Sequence, residues 1–226
     1  MKTKLLSIAM MVAFIMTAMT KIQAQNFEGP CLPSMHGLDD HQSAFCGSTE
    51  TQTIALSAGV NWFSTYVDIT LDDLQNALAT ATPSKAITIK FQNANSVYAP
   101  RTHKWTTGAG FTWNVANMYQ IIMAEACEIT LEGMPIDPAA HSITIVGGGV
   151  NTWIGFPISE AMTVTNAFAT LPPANGDNVK YQNANALFSR NKWSSGITNL
   201  EPGKGYQYIS APNSADRVFT FPSSNK

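Results

Sequence analysis

Two tryptophans at matching positions are the strongest candidates for ligand contact. Trp105 and Trp193 each follow a lysine, in the strings KWTTG and KWSSG. Amide side chains lie in turns nearby, at Asn93, Asn95, Asn183 and Asn185. An exposed indole ring packs against the C–H face of a sugar while amides bond its hydroxyls, so this combination is typical of carbohydrate binding. Tryptophan is also highly buried on average, and we favour packing over ligand contact for both rings.

Residue patterns that support catalysis are sparse. Four histidines occur, at His36, His41, His103 and His141. The chain has no Gly-x-Ser-x-Gly elbow, His-Glu-x-x-His motif or P-loop. The triple glycine at 147–149 lacks a following Lys-Ser/Thr and leads into a predicted strand, so we interpret it as a turn. The sequence therefore predicts a protein that is not an enzyme and needs no cofactor.

Cys31 and Cys46 are predicted to form a local disulfide, which would close a loop of about 15 residues and stabilise it by roughly 3 kcal/mol. The same stretch could instead offer six metal ligands, Cys31, His36, Asp39, Asp40, His41 and Cys46. Their spacing matches no standard zinc pattern, so no metal site is predicted. Cys127 has alternating apolar neighbours and is predicted to be a buried thiol in a strand.

The first 24 residues have the composition of a signal peptide. Lys2 and Lys4 precede an apolar stretch over 5–18, and Ala24 offers a small residue before a cut at Gln25. No later stretch approaches the roughly 20 apolar residues of a membrane helix. We therefore expect an exported protein, in the periplasm, on the outer surface or outside the cell, whose mature chain has no transmembrane segment.

The charge of the mature chain argues against nucleic-acid binding. The leader contains three of the 13 basic residues, and 15 acidic residues remain in the mature chain. An acidic surface does not attract a polyanion. A surface protein or a glycan is the expected partner.

The second half of the chain repeats the first at a shift of 90 residues. NALATATPSKAITIKFQNANSVY (76–98) matches NAFATLPPANGDNVKYQNANALF (166–188) without a gap. The same shift pairs Gly59-Val60-Asn61 with Gly149-Val150-Asn151. So long a period indicates two copies of one supersecondary unit rather than solenoid turns. We divide the chain into the leader (1–24), a Cys-containing segment (25–50), repeat 1 (51–137) and repeat 2 (138–226).

Each repeat is predicted to contain short strands and one helix. Period-two alternation predicts strands at 61–67 and 87–91, among others. The first helix has Thr70 as N-cap, with Asp72 and Asp73 in its first turn. The second has one apolar face, formed by Val164, Ala167, Phe168 and Leu171. Gly, Pro and Asn turns favour antiparallel pairing, so the expected fold class is mainly β (α+β), with two tandem antiparallel β units related by internal duplication.

Three strings resemble a duplicated module of exported proteins from Bacteroidetes-type bacteria. They are GVNTWIGFP (149–157), KYQNANALF (180–188) and KWSSGITNLEPGKGYQYIS (192–210). In that module a Gly-Trp-Asn-Trp strand, a short helix, a Lys-x-Gln turn and a Trp-x-Gly…Leu-x-Pro-Gly-x-Gly-Tyr segment follow in this order. The resemblance spans residues 53–222, although Val60 and Val150 replace the first Trp and 114–119 departs from Pro-Gly-x-Gly-Tyr. It implies an exported surface module and carries no established activity.

Two functions from different classes stay open. The first is a noncatalytic surface or secreted module with a structural or adhesive role, made through protein contacts. The second is a carbohydrate-binding module that uses exposed aromatics. Exposure of Trp105 and Trp193 in a shared groove would favour the second, and burial would favour the first. A secreted hydrolase ranks third and would need acidic residues gathered around His103 or His141.

Overall fold

The architecture of residues 48–223 comes from a computed structural model, which describes this part of the 226-residue chain. These residues belong to one compact unit. Three sequence predictions lie outside them: the signal peptide over 1–24, the disulfide between Cys31 and Cys46, and the alternative metal ligands in the same stretch.

Repeat 1 forms one five-stranded sheet and one three-stranded sheet. Its elements in chain order are β1 (Glu50–Leu56), β2 (Gly59–Phe63), β3 (Val67–Asp68), helix α1 (Leu71–Ala81), β4 (Ile87–Phe91), β5 (Ala94–Ala99), β6 (Lys104–Thr107), β7 (Tyr119–Met123) and β8 (Cys127–Pro135). The strand orders are β2-β7-β4-β5-β6 and β1-β8-β3. Every pairing is antiparallel.

Repeat 2 builds the same five-stranded sheet. Its elements are a 3₁₀ helix (Pro138–Ala140), β9 (Ile143–Ile145), β10 (Asn151–Ile154), β11 (Met162–Thr163), helix α2 (Val164–Ala167), β12 (Asn178–Tyr181), β13 (Ala184–Ser189), β14 (Lys192–Trp193), β15 (Asn199–Leu200), β16 (Tyr206–Ile209) and β17 (Arg217–Phe219). The order β10-β16-β12-β13-β14 matches β2-β7-β4-β5-β6 strand for strand. The mainly β (α+β) fold class is confirmed.

The helices begin where the sequence predicts. The Thr70 hydroxyl accepts a hydrogen bond from the Asp73 backbone N–H at 3.2 Å, and the Asp73 carboxylate accepts one from the Thr70 N–H at 2.8 Å. This capping box satisfies two amide donors that the first turn of a helix otherwise leaves unpaired. In repeat 2 the helix ends at Ala167, earlier than expected, yet its four predicted apolar residues are all buried.

The strand predicted over 61–67 is wrong beyond Phe63. At that point the chain leaves one sheet for the other, and Ser64 and Thr65 are buried with their hydroxyls bonded. The Ser64 hydroxyl donates to the Lys204 carbonyl at 2.7 Å, and the Thr65 hydroxyl donates to Gln52 Oε1 at 2.9 Å. Side-chain bonds of this kind replace a continuous strand ladder.

Strand register changes one sequence correspondence. Trp62 pairs with Gln120, and Trp153 pairs with Gln207. By the same registers Asn61 corresponds to Thr152, not to Asn151 as the shift of 90 suggests. The extra residue of repeat 2 therefore lies before β10, in the segment of the triple glycine turn.

Each repeat has its own apolar core, and the two repeats meet through reciprocal backbone hydrogen bonds. Ser64 N donates to Gly203 O at 3.2 Å, and Gly155 N donates to Ala116 O at 2.7 Å. The donors, Ser64 and Gly155, each lie two residues after a tryptophan of the pair Trp62 and Trp153. The acceptors, Ala116 and Gly203, each lie three residues before the tyrosine that begins β7 or β16. Equivalent surfaces thus contact each other, as in a two-fold symmetric dimer.

Aromatic contacts follow the same reciprocity. Trp62 of repeat 1 packs edge-to-face on Tyr181 of repeat 2, with ring centroids 6.2 Å apart. Trp153 of repeat 2 packs edge-to-face on Phe91 of repeat 1 at 6.1 Å. Trp62 corresponds to Trp153 and Phe91 to Tyr181, so one contact is made twice about a pseudo-two-fold axis.

Candidate ligand-binding site

The two tryptophans singled out in the sequence pack against separate cores. Trp105 is half-buried on the core of repeat 1, with its ring 5.3 Å from that of Tyr98. Its indole Nε1 is buried and has no hydrogen-bond partner within residues 48–223. Trp193 is half-buried on the core of repeat 2, between Phe168 and Phe188 at 5.9 and 5.1 Å.

The four predicted asparagines are exposed and lie apart from these tryptophans. Asn93 and Asn183 are in two-residue hairpin turns, whereas Asn95 and Asn185 are in the strands that follow. Tyr98, the partner of Trp105, is buried, and residues alternate between faces along a strand. Asn95 therefore lies on the outer face of its sheet, opposite the face that carries Trp105.

Strand register brings a different set of side chains together on the outer face of repeat 1. Trp62 pairs with Gln120, Gln120 pairs with Lys90, and Lys90 pairs with Asn95. Paired residues of antiparallel strands share a face, so these four side chains form one line across β2, β7, β4 and β5. We call this line row 1.

Repeat 2 carries the same four residue types in the same order. Trp153 pairs with Gln207, Gln207 with Lys180, and Lys180 with Asn185, across β10, β16, β12 and β13. We call this line row 2. With neighbouring strands about 4.8 Å apart, each row spans about 14 Å from its tryptophan to its asparagine.

At the neighbouring line of the same faces, three of the four positions differ between the repeats and one is isoleucine in both. The next line across repeat 1 reads Val60, Ile122, Thr88 and Val97, and that of repeat 2 reads Asn151, Ile209, Asn178 and Leu187. Even buried positions differ, since Ile121 corresponds to Tyr208. The sheet thus folds with different residues at most of these positions, in contrast to the identity of all four positions of the rows.

Most polar groups of the rows have unused hydrogen-bonding capacity. Within residues 48–223 the side chains of Lys90, Asn95, Gln120 and Lys180 make no hydrogen bond or ion pair. In row 2, Gln207 Oε1 accepts from Asn151 at 3.0 Å and Asn185 donates to Asn178 at 3.3 Å. The rows therefore present amide donors and acceptors and an ammonium group to solvent.

The tryptophan at the end of each row borders the other repeat. Trp62 is half-buried beside Tyr181, and the Lys204 ammonium lies 5.0 Å from the centroid of that tyrosine ring. Burial raises the pKa of the Tyr181 hydroxyl, so it stays a neutral donor and acceptor at physiological pH. Each row thus ends in an aromatic surface that both repeats build.

A buried ion pair lies elsewhere, inside repeat 2. Asp177 is fully buried and forms a bidentate ion pair with Arg217 at 2.7 and 2.9 Å. Its carboxylate also accepts hydrogen bonds from the Tyr208 hydroxyl and from the N–H groups of Ala174 and Ala211, each at 2.7 Å.

The same contacts determine the protonation state of this cluster. Burial alone would raise the pKa of Asp177, but these hydrogen bonds outweigh it and the pKa is lowered. Burial, with the bond to Asp177, raises the pKa of Tyr208. Because internal partners surround the carboxylate, the cluster stabilises the fold and leaves little for a substrate.

The histidines of the described region do not gather acidic residues. The His103 ring is bonded through Nδ1 to the Tyr98 hydroxyl at 3.0 Å. Between residues 48 and 223 no three His, Cys, Asp or Glu side chains lie together as potential metal ligands. Cys127, expected to be buried, is a half-buried free thiol in β8. Partial burial, together with the negative charge of Glu125, raises the pKa of this thiol.

Comparison with known protein families, with curated proteins and with solved structures finds no match for the chain. No helix in the described part is long and apolar enough to cross a membrane.

Sequence reasoning found Asn95 and Asn185 but missed the other members of the rows. The distance between equivalent residues differs along the repeat, because Trp62 and Trp153 are 91 apart and Gln120 and Gln207 are 87 apart. A single shift of 90 aligns only the lysines and asparagines. All four residue types occur in both repeats of the sequence, but strand pairing was needed to show that they occupy equivalent positions.

Proposed function

We propose that this protein is an exported, noncatalytic binding module with an adhesive role at a surface, and that rows 1 and 2 are its two equivalent contact sites. One observation carries the proposal: Trp, Gln, Lys and Asn recur in the same order on the outer faces of both sheets. The tryptophans also recur because they pack between the repeats. The lysines, glutamines and asparagines are exposed or half-exposed on the outer faces and have no such packing role, so their recurrence favours a shared contact.

The chemistry of the rows supports binding rather than catalysis. Amides and an indole are neither acids nor bases near neutral pH. None of the four is a nucleophile with a neighbouring base. Their hydrogen-bonding groups are suited to hold a partner in register.

Two sites in one chain also suit adhesion. When both sites engage one surface, the second binding event is intramolecular, and overall avidity exceeds the affinity of either site. The pseudo-two-fold relation fixes the two rows relative to each other, because Ser64–Gly203 and Gly155–Ala116 bonds tie the repeats together.

The test measures retention of the mature chain, residues 25–226, on immobilised matrix proteins, mucin and polysaccharides by biolayer interferometry. The row variant combines Lys90→Ala, Gln120→Ala, Lys180→Ala and Gln207→Ala. It keeps both tryptophans, which also pack between the repeats. The control combines Lys104→Ala with Lys192→Ala, two exposed lysines that also recur in both repeats.

We expect retention on at least one surface, loss of that retention in the row variant, and its persistence in the control. Circular dichroism and urea unfolding establish that both variants fold. Retention of wild type on no surface, or equal retention of the row variant, would overturn the proposal.

A further inference from the structure

From the composition of the rows we infer that each one binds an acidic sugar, a polyhydroxylated ring that carries a carboxylate. This inference rests on the proposed function and names its ligand class. It takes up the carbohydrate alternative at residues other than Trp105 and Trp193.

The lysine of each row identifies the charge of the ligand. Lys90 and Lys180 have no acidic partner in the described part of the chain, although the sequence contains more acidic than basic residues. Lys85 and Lys204 do have such partners, Glu125 and Glu201, whereas Lys104 and Lys192 have none in the described part of the chain. What distinguishes Lys90 and Lys180 is that each lies between two side-chain amides. The unpaired ammonium group in the middle of each row can form a charge-assisted hydrogen bond with an anionic group of the ligand.

The amides identify the rest of the ligand's polar surface. A glutamine lies on one side of the lysine and an asparagine on the other, each one strand away. A side-chain amide both donates and accepts, as a sugar hydroxyl does. A carboxylate flanked by hydroxyls on both sides matches this order of amide, ammonium and amide.

The tryptophan gives the ligand an apolar face to pack on. Trp62 and Trp153 are half-buried at one end of each row, and each is held by an aromatic ring of the other repeat. Sugar rings present C–H groups that pack on an indole. A row about 14 Å long fits an oligosaccharide of two or three units running across the strands.

The experiment is isothermal titration calorimetry of the mature chain with defined acidic oligosaccharides. The ligands are trigalacturonate, a hyaluronan tetrasaccharide and sialyllactose, which separate plant, matrix and cell-surface sources of the same chemistry. The methyl ester of each keeps the ring and removes the charge. A glutamate-rich peptide tests for an anion without a sugar.

We expect at least one acidic oligosaccharide to bind at two sites per chain, with the ester about tenfold weaker or more, because a charge-assisted hydrogen bond is lost. Lys90→Ala and Lys180→Ala should each remove one of the two sites. The variant Lys104→Ala/Lys192→Ala removes two positive charges elsewhere, one more than either single variant, and should bind as wild type does. Raised salt should weaken the acid more than the ester.

Several results would overturn the inference: binding of none of these oligosaccharides, equal affinity for acid and ester, equal loss in the Lys104/Lys192 control, or stronger binding of the peptide. The two failures are distinguishable. If the rows retain the chain on an immobilised protein while every oligosaccharide fails, the adhesive function stands and the sugar is wrong.

Discussion

Met118 and Gly205 occupy equivalent positions in the two repeats and pack against each other. Each directly precedes the buried tyrosine that begins its strand, Tyr119 or Tyr206. A Cβ atom on Gly205 would overlap the Met118 side chain and would lie 2.7 Å from the Phe63 carbonyl oxygen. At the pseudo-two-fold axis the Met118 side chain of repeat 1 therefore fills the space left by the missing side chain of Gly205 in repeat 2.

This complementarity predicts coupled effects on stability. Gly205→Ala should lower the free energy of unfolding by about 1–3 kcal/mol through overpacking, and Met118→Ala by about 2–5 kcal/mol through a cavity. In the double variant Gly205→Ala should cost less, because the clashing side chain is shorter. Urea unfolding of all four proteins measures the coupling, and strictly additive costs would contradict the contact.

The reciprocal aromatic pairs predict two similar coupling energies. A double-mutant cycle on Trp62→Ala and Tyr181→Ala should give about 0.5–1.5 kcal/mol, since the rings meet edge-to-face. The cycle on Trp153→Ala and Phe91→Ala should give a value in the same range. Chemical denaturation provides both numbers. A coupling near zero in either cycle would show that the contact contributes nothing to docking of the repeats.

Asp177 predicts how stability depends on pH. Its pKa is lower in the folded protein than in the unfolded chain, so its contribution is complete above the unfolded value of about 3.9 and is lost as pH falls through the folded value. The unfolding free energy of the wild type should therefore decline from about pH 5 downward. Asp177→Asn should be destabilised at pH 7 by about 3–5 kcal/mol, because Arg217 loses its partner.

The Asp177→Asn variant should also show a shallower pH dependence below pH 5 than wild type. Asn93→Ala, at an exposed position with no ionisable group, serves as the control and should keep the wild-type slope. Thermal or urea unfolding at a series of pH values gives the slopes. Identical slopes in wild type and Asp177→Asn would refute the assignment.

Trp105 and Trp193 are expected to affect stability rather than binding. Each packs on the core of its own repeat, so replacement by alanine should lower the unfolding free energy by about 2 kcal/mol or more. Retention of the folded variants on the surfaces that bind wild type should be unchanged. If the variants lost retention while their stability was unchanged, the two tryptophans would instead be ligand-binding residues.

Local patterns were sufficient for much of the secondary structure. Thr70 and Asp73 specify the start of a helix because a capping box needs only residues three apart. The strand Ile87–Phe91 follows from its period of two, and a turn follows it as expected at Gln92 and Asn93. Asn95, also expected in the turn, lies in the next strand. These features depend on neighbours along the chain, which a sequence displays directly.

Some positions of the two repeats make equivalent hydrogen bonds although their sequences differ. Residues 114–119 of repeat 1 lack the Pro-Gly-x-Gly-Tyr string of repeat 2, yet the Tyr119 hydroxyl accepts a hydrogen bond from the Asn114 N–H at 2.7 Å. In repeat 2 the Tyr206 hydroxyl accepts the same bond from the Glu201 N–H at 2.8 Å. A backbone donor is present in any residue except proline, so this bond survives changes of side chain that hide it from comparison.

The sequence by itself determined that one β-rich unit occurs twice, where most of its strands lie and how its helices begin. Tertiary structure alone decided the strand order, the meeting of the repeats and the composition of the rows. Trp62 and Gln120 lie 58 residues apart and become neighbours only through β2 and β7. Pairing of distant strands depends on the hydrogen bonds and burial of the whole sheet, so no local pattern of residues specifies which side chains will stand side by side.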